Sequence, residues 1–232
     1  MRLFAIGDLH LPGGDDKPMD VFDPGWNGHF FRISEDWRER VSPEDTVLIP
    51  GDISWALQLG NALPDLQAIG ELPGRKILLK GNHDYWWTSL SRVRAALPEG
   101  MQVLQYDAID LGDIVICGSR GWNQPTEDTP LEKEDEKIYL RELQRLELSL
   151  QAANAKAAGK PIAAMMHFPP LYDTMRDTAF TALLEKYGVS KVVYGHLHGQ
   201  GIRTGFNGIW NGIEYHLVSC DSLGFRLAQI DF

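Results

Sequence analysis

Carboxylate, imidazole and amide side chains gather at five places in this chain: Asp8-Leu9-His10, Gly51-Asp52, Gly81-Asn82-His83-Asp84, His167, and Gly195-His196-Leu197-His198-Gly199. Five of the seven histidines belong to this set. As ligands these groups are borderline to hard, and they suit a divalent Mn, Fe, Zn or Co ion better than a thiolate site or an all-oxygen calcium cage. In an extended segment residues i and i+2 leave the same face, so Asp8 with His10, and His196 with His198, are expected to point two ligands into one space. The adjoining glycines let backbone come close to whatever is bound. Taken singly, each piece also reads as a polar turn or a satisfied histidine. Packing alone gives no reason for five separate segments to end in the same kind of ligand.

The elements that position these groups are short apolar runs, each ending just before a motif or a glycine cluster. "RLFAI" precedes Gly7, "TVLIP" Gly51, "KILLK" Gly81, "IVICG" Ser119, "PIAAMM" His167 and "KVVY" Gly195. Such runs read as buried strands. Helical periodicity lies between several of them. The clearest covers residues 131–158, where Tyr139, Leu143, Leu146, Leu150, Ala153 and Ala157 recur at steps of three and four before Gly159-Lys160-Pro161. Shorter helices are expected over 61–69 and over 88–97, where Pro98 stops the second. The glycine-rich C-terminal part, followed by "FRLAQIDF", reads as hairpins of a second sheet. Residues 11–34 and 118–130 read as long loops that start at strand ends, where ligand sites collect in open α/β sheets. The result is an α/β chain with mixed sheets.

With 232 residues the chain is long enough for one substantial core, so a single domain over 1–232 is expected. Hydrophobic residues at 44% and charged residues at 23% exclude a disordered or fibrous chain. The formal charge is −10, from 22 basic against 32 acidic residues, and no basic run could track a phosphate backbone. Duplex nucleic acid is therefore not an expected partner. Bound cations would make the working charge less negative. Cys117 and Cys220 sit in apolar stretches and read as buried thiols of a reducing compartment. Asp8 interrupts the N-terminal apolar run too early for a secretory segment, and no span approaches membrane length, so a cytoplasmic protein without a membrane partner is expected.

In their order and wording, D-x-H, G-D, G-N-H-[DE], a lone His and G-H-x-H resemble the calcineurin-like metallophosphoesterases, and the resemblance spans Asp8 to Gly199. It implies a four-layer α/β/β/α sandwich with two mixed β-sheets and a dinuclear metal site. It further implies that Asp8, His10 and His198 hold one ion, that Asn82, His167 and His196 hold the other, and that Asp52 bridges them. His83 is then left as general acid for the leaving group, beside a phosphoryl group attacked by metal-held hydroxide. The implied substrate is a small phosphomonoester or phosphodiester. Nucleotide or cyclic-nucleotide phosphodiesterase, nuclease, and non-catalytic scaffold are the alternatives.

Protein Ser/Thr phosphatases of this superfamily carry an Asp and an Arg shortly after G-D, whereas here the chain continues Ile53-Ser54-Trp55. Arg120 in "GSRGW" is a candidate to hold phosphate instead, against a plain ion-paired arginine. Asp84 reads either as a catalytic aid that orients the loop or ring of His83, or as a turn-stabilising residue. Trp55, Trp86, Trp87 and Trp122 follow the motifs closely and could form an aromatic rim or fill core.

Overall fold

The computed structural model describes residues 1–14, 19–21, 23–126 and 129–232. Parts of both long loops, residues 15–18, 22 and 127–128, lie outside these described residues. Strands β1 (Leu3–Ala5), β2 (Thr46–Pro50), β3 (Arg75–Leu79) and β4 (Met101–Val103) are followed by β5 (Ile109–Asp110), β6 (Val115–Ser119), β7 (Ile162–Met166) and β8 (Lys191–Tyr194). After these come β9 (Gly208–Trp210), β10 (Ile213–Leu217) and β11 (Ala228–Ile230). The helices are α1 (His29–Arg40), α2 (Leu59–Gly70), α3 (Leu90–Ala96), α4 (Lys133–Ala157) and α5 (Ala179–Lys186). All six expected strands and all three expected helices are present. The chain divides into two compact units, Met1–Val103 with Val218–Asp231, and Leu104–Leu217 with Phe232.

The first unit is a five-stranded sheet in the order β11-β1-β2-β3-β4. Strands β1 to β4 run parallel and β11 pairs antiparallel with β1. The unbroken burial of β1 and β2 explains why they read as continuous apolar runs: a parallel strand covered on both faces has no polar side. Two expectations are corrected here. Residues 29–34, read as loop, begin helix α1, which buries Ile33, Ser34 and Trp37 on one face and carries charge on the rest. So narrow an apolar stripe, preceded by a Gly- and Pro-rich stretch, hides the period in the sequence. Strand β11, expected with the second sheet, closes the edge of the first, a long-range pairing that local pattern does not encode.

The second unit is a six-stranded sheet in the order β5-β6-β7-β8-β10-β9, parallel from β6 through β10 and antiparallel at both edges. Helix α4 buries Tyr139, Leu146, Leu150, Ala153 and Ala157 as its period predicts. Acidic Glu134, Asp135 and Glu136 in its first turn and Lys156 in its last match the helix dipole. Beneath it, Gly118 of β6 donates its N–H to Ser149 Oγ at 2.8 Å. A Cβ at Gly118 would lie 1.9 Å from the Met165 carbonyl oxygen, so only glycine fits between helix and neighbouring strand. Strands β9 and β10 form the expected hairpin through Asn211-Gly212, both with positive φ as a two-residue turn requires. Helix α5 starts at Thr178, whose hydroxyl accepts the Thr181 N–H while the Thr181 hydroxyl accepts the Thr178 N–H.

Candidate metal centre

In the first unit the motifs lie just past the C-terminal ends of β1, β2 and β3. Asp8 (φ 59), His10 (φ 46) and Asp52 (φ 51) all have left-handed backbone. The D-x-H segment is thus not the extended strand expected from sequence: it turns through left-handed backbone, and that turn, not strand alternation, brings the two side chains together. Asp and His tolerate this region better than branched residues, yet each such residue still costs on the order of 1 kcal/mol. Hydrogen bonds hold the conformation. Asp8 N donates to the Gly51 carbonyl at 2.9 Å, His10 N to that of Asp52 at 3.0 Å, and Leu11 N to that of Ile53 at 3.0 Å. The Cys220 thiol reaches the Asp8 carbonyl at 3.1 Å, and His29 Nε2 lies 2.8 Å from the Leu9 carbonyl.

A carboxylate oxygen of Asp8 lies within 4.8 Å of a His10 ring nitrogen and within 4.8 Å of an Asp52 carboxylate oxygen. His10 Nε2 is 3.7 Å from Asp52 Oδ2, and all three side chains are almost fully buried. Asp52 Oδ1 accepts the His83 backbone N–H at 2.8 Å, tying the G-N-H-D loop to the G-D loop. Gly81 makes that approach possible, because a Cβ there would sit 2.1 Å from Asp52 Oδ1. Asp84 is buried and accepts from four donors: Gly81 N at 2.8 Å, Ile53 N at 2.9 Å, Ser54 N at 3.2 Å and Trp86 Nε1 at 2.9 Å. Its carboxylate is thereby committed to bracing the two loops. Asn82 and His83 are half-buried. The Trp55 ring stacks on His10 at 4.8 Å and tilts over His83 at 4.5 Å, whereas Trp86 and Trp87 are both core residues.

In the second unit His167 follows β7 directly and is fully buried. The Arg120 carbonyl accepts the N–H groups of His167 at 3.2 Å and Phe168 at 2.8 Å. His196 is left-handed (φ 73) and His198 extended, so this pair too departs from simple alternation. His196 Nδ1 lies 3.3 Å from His167 Nε2, and Phe168 packs on the His196 ring at 4.1 Å. The Arg120 guanidinium lies 3.6 Å from Glu142 and over the Trp122 ring at 4.7 Å. Burial pulls its pKa below the ordinary arginine value, and Glu142 pulls it the other way. Glu142 is itself buried and already bound by Arg145 at 2.6 Å.

Both cysteines are free and buried, which pushes the Cys117 thiol up to about 12 and Cys220 well above its usual value. The sequence reading missed His29 and Cys220 behind the D-x-H turn. The one available signal was that His29 and His216 remain once the five motif histidines are set aside.

The carboxylate, imidazole and amide donors of the first unit and the imidazoles of the second fit divalent ions of the Mn, Fe, Zn or Co kind. Residues 1–200 match the calcineurin-like phosphoesterase family, and the chain belongs to it. Its two mixed sheets with flanking helices are of the expected α/β class. Over 88 residues it is 43% identical to the gene 66 protein of Mycobacterium phage D29, a match covering 36% of this chain and only 40% of that relative's length. Among solved structures it resembles the phosphopantetheinyl hydrolase of Mycobacterium tuberculosis, with TM-score 0.56, 16% identity, and 99% and 95% of the two chains covered. It also resembles a protein of unknown function from Aquifex aeolicus, with TM-score 0.54, 18% identity, and 98% and 95% covered. Among the described residues no helix is long and apolar enough to cross a membrane.

Proposed function

We propose that residues 1–232 work as one catalytic domain, a two-metal phosphohydrolase of a small phosphomonoester or phosphodiester in the cytoplasm. Asp8, His10 and His198 hold one divalent ion, Asn82, His167 and His196 the other, and Asp52 is shared. The observation that carries this reading is the pairing of Asp8 with Asp52. Two buried carboxylates this close repel each other by several kcal/mol unless a proton or a cation lies between them. Their left-handed backbone adds further cost, which a packing role would not require.

Bound ions of this kind polarise a phosphoryl group and lower the pKa of water at the site. The chain's own groups do the rest. His83, half-buried beside Trp55, gives the proton that the departing alkoxide needs. Asp84 keeps the His83 loop and the Ile53-Ser54 segment in register and so acts on the ring indirectly. Arg120 holds a phosphoryl oxygen, a role open to it because Arg145 already neutralises Glu142. Tyr85, 59% exposed and 6.3 Å from the His83 ring, favours substrates whose leaving group carries a flat ring, including nucleotides.

The test is a screen of protein reconstituted with Mn, Fe, Zn or Co against aryl monoesters, bis-aryl diesters, nucleotides, phosphopeptides and a phosphopantetheinyl ester. Asp52→Ala should lose metal and activity together. His83→Ala should keep metal and lose rate mainly on esters with poor leaving groups. An equal loss on activated and unactivated esters would remove His83 from the proton-donor role.

A further inference from the structure

The D-x-H turn has an anchor outside the motif set. Leu9, between the two ligands, is fully buried, so its carbonyl needs a donor from within the protein. His29 Nε2 lies 2.8 Å from that oxygen, and His29 Nδ1 lies 3.0 Å from the Trp26 carbonyl. The imidazole is the first residue of α1, a helix fixed to the core by Ile33 and Trp37, and Phe225 and Trp26 wall it at 6.1 and 5.1 Å. Trp26 in turn meets the His10 ring edge-on at 6.1 Å. The hydrogen bonds from Asp8 N and His10 N run to the loop after β2, so the Leu9 carbonyl is a separate point at which the turn can be held.

We propose that His29 is a positioning residue for the metal centre: its Nε2–H holds the Leu9 carbonyl and thereby fixes the left-handed turn that aims Asp8 and His10 at one ion. Burial lowers the His29 pKa below the usual imidazole value, and its two carbonyl partners work against that. Anchors of this kind, which touch no metal themselves, typically change metal affinity by about 10–100-fold.

The inference rests on Asp8 and His10 being ligands, and its test separates the two ideas. Gln places its amide nitrogen near the position of His Nε2, and Asn near that of Nδ1. Co2+ binding is measured by competition with a chromophoric chelator and by the visible spectrum of the cobalt protein, alongside metal-free melting temperatures. Affinity should fall about 10–100-fold in His29→Asn and stay within about threefold of wild type in His29→Gln. With the Leu9 carbonyl left without its donor, His29→Asn should melt a few degrees below His29→Gln while still unfolding cooperatively. Wild-type affinity in His29→Asn, or an equal loss in both variants, overturns the proposal. If Asp52→Ala loses Co2+ while His29→Asn keeps it, only the inference falls; if the wild type takes up no Co2+, the metal reading falls with it. A measurement on the metal-free wild-type protein guards against a variant that fails to fold. Long-range 1H–15N spectra should show His29 as the Nε2–H tautomer, and the Nδ1–H tautomer would overturn the proposal.

Discussion

The two units assemble their candidate ligands by different means. In the first, Asp8, His10 and Asp52 stand on left-handed backbone, and main-chain N–H groups, the Asp84 carboxylate and the His29 ring hold the loops between them. In the second, His167 and His196 meet ring to ring, with Phe168 on one side and the Arg120 carbonyl behind. One half is built by backbone hydrogen bonding and the other more by side-chain packing. The first should therefore be brittle, since a lost acceptor orphans several buried donors at once, and the second more forgiving.

The sharpest way to break this comparison is Gly81→Ala. The new Cβ must displace Asp52, whose oxygen and nitrogen lie 2.1 and 2.3 Å from it, so kcat/KM on an aryl phosphoester should fall by about 100-fold or more. Asp84→Ala leaves four buried or half-buried donors without their acceptor. Thermal unfolding should show a loss of about 3–4 kcal/mol, or roughly 6–16 °C in Tm for a domain of this size. Arg120→Ala touches the second half. Because Arg145 remains on Glu142, stability should drop by only about 1 kcal/mol or less, while kcat/KM falls several-fold. If it destabilised the protein as much as Asp84→Ala, the contrast between the halves would be gone.

A further expected effect concerns buried charge. Glu142 of the second unit has arginine partners, whereas Lys76 of the first gives its ammonium to the Gly70 and Leu72 carbonyls. Burial brings the Lys76 pKa down to about 8 from 10.5. Between those values the unfolded chain binds more protons than the folded one, so stability rises with pH across the window and the penalty is largest below it. Between about pH 7.5 and 9.5 the wild type should gain about 2 kcal/mol relative to Lys76→Met in paired melting curves.

Much of the architecture is legible in the sequence. A strand buried on both faces leaves an unmistakable apolar run, and the long helix α4 repeats its period for seven turns. Helix α1 was not legible, because three buried residues in twelve carry too little periodic signal. Strand β11 was not, because its partner β1 lies at the other end of the chain. Trp86 and Trp87, which the sequence leaves open between an aromatic rim and core, are core, since hydrophobic volume is used wherever the fold has room for it.

By itself the amino-acid sequence determined which groups stand at the strand ends, because ligand chemistry is a property of side-chain type and the strands that carry these groups are written in local apolar pattern. Only the tertiary structure decided how these side chains are aimed. Left-handed φ at Asp8, His10 and Asp52 goes with hydrogen bonds that join their loops to distant residues such as Cys220, Asp84 and His29. Backbone conformations of that cost exist only where the surrounding fold enforces them, so no window along the chain could have revealed them.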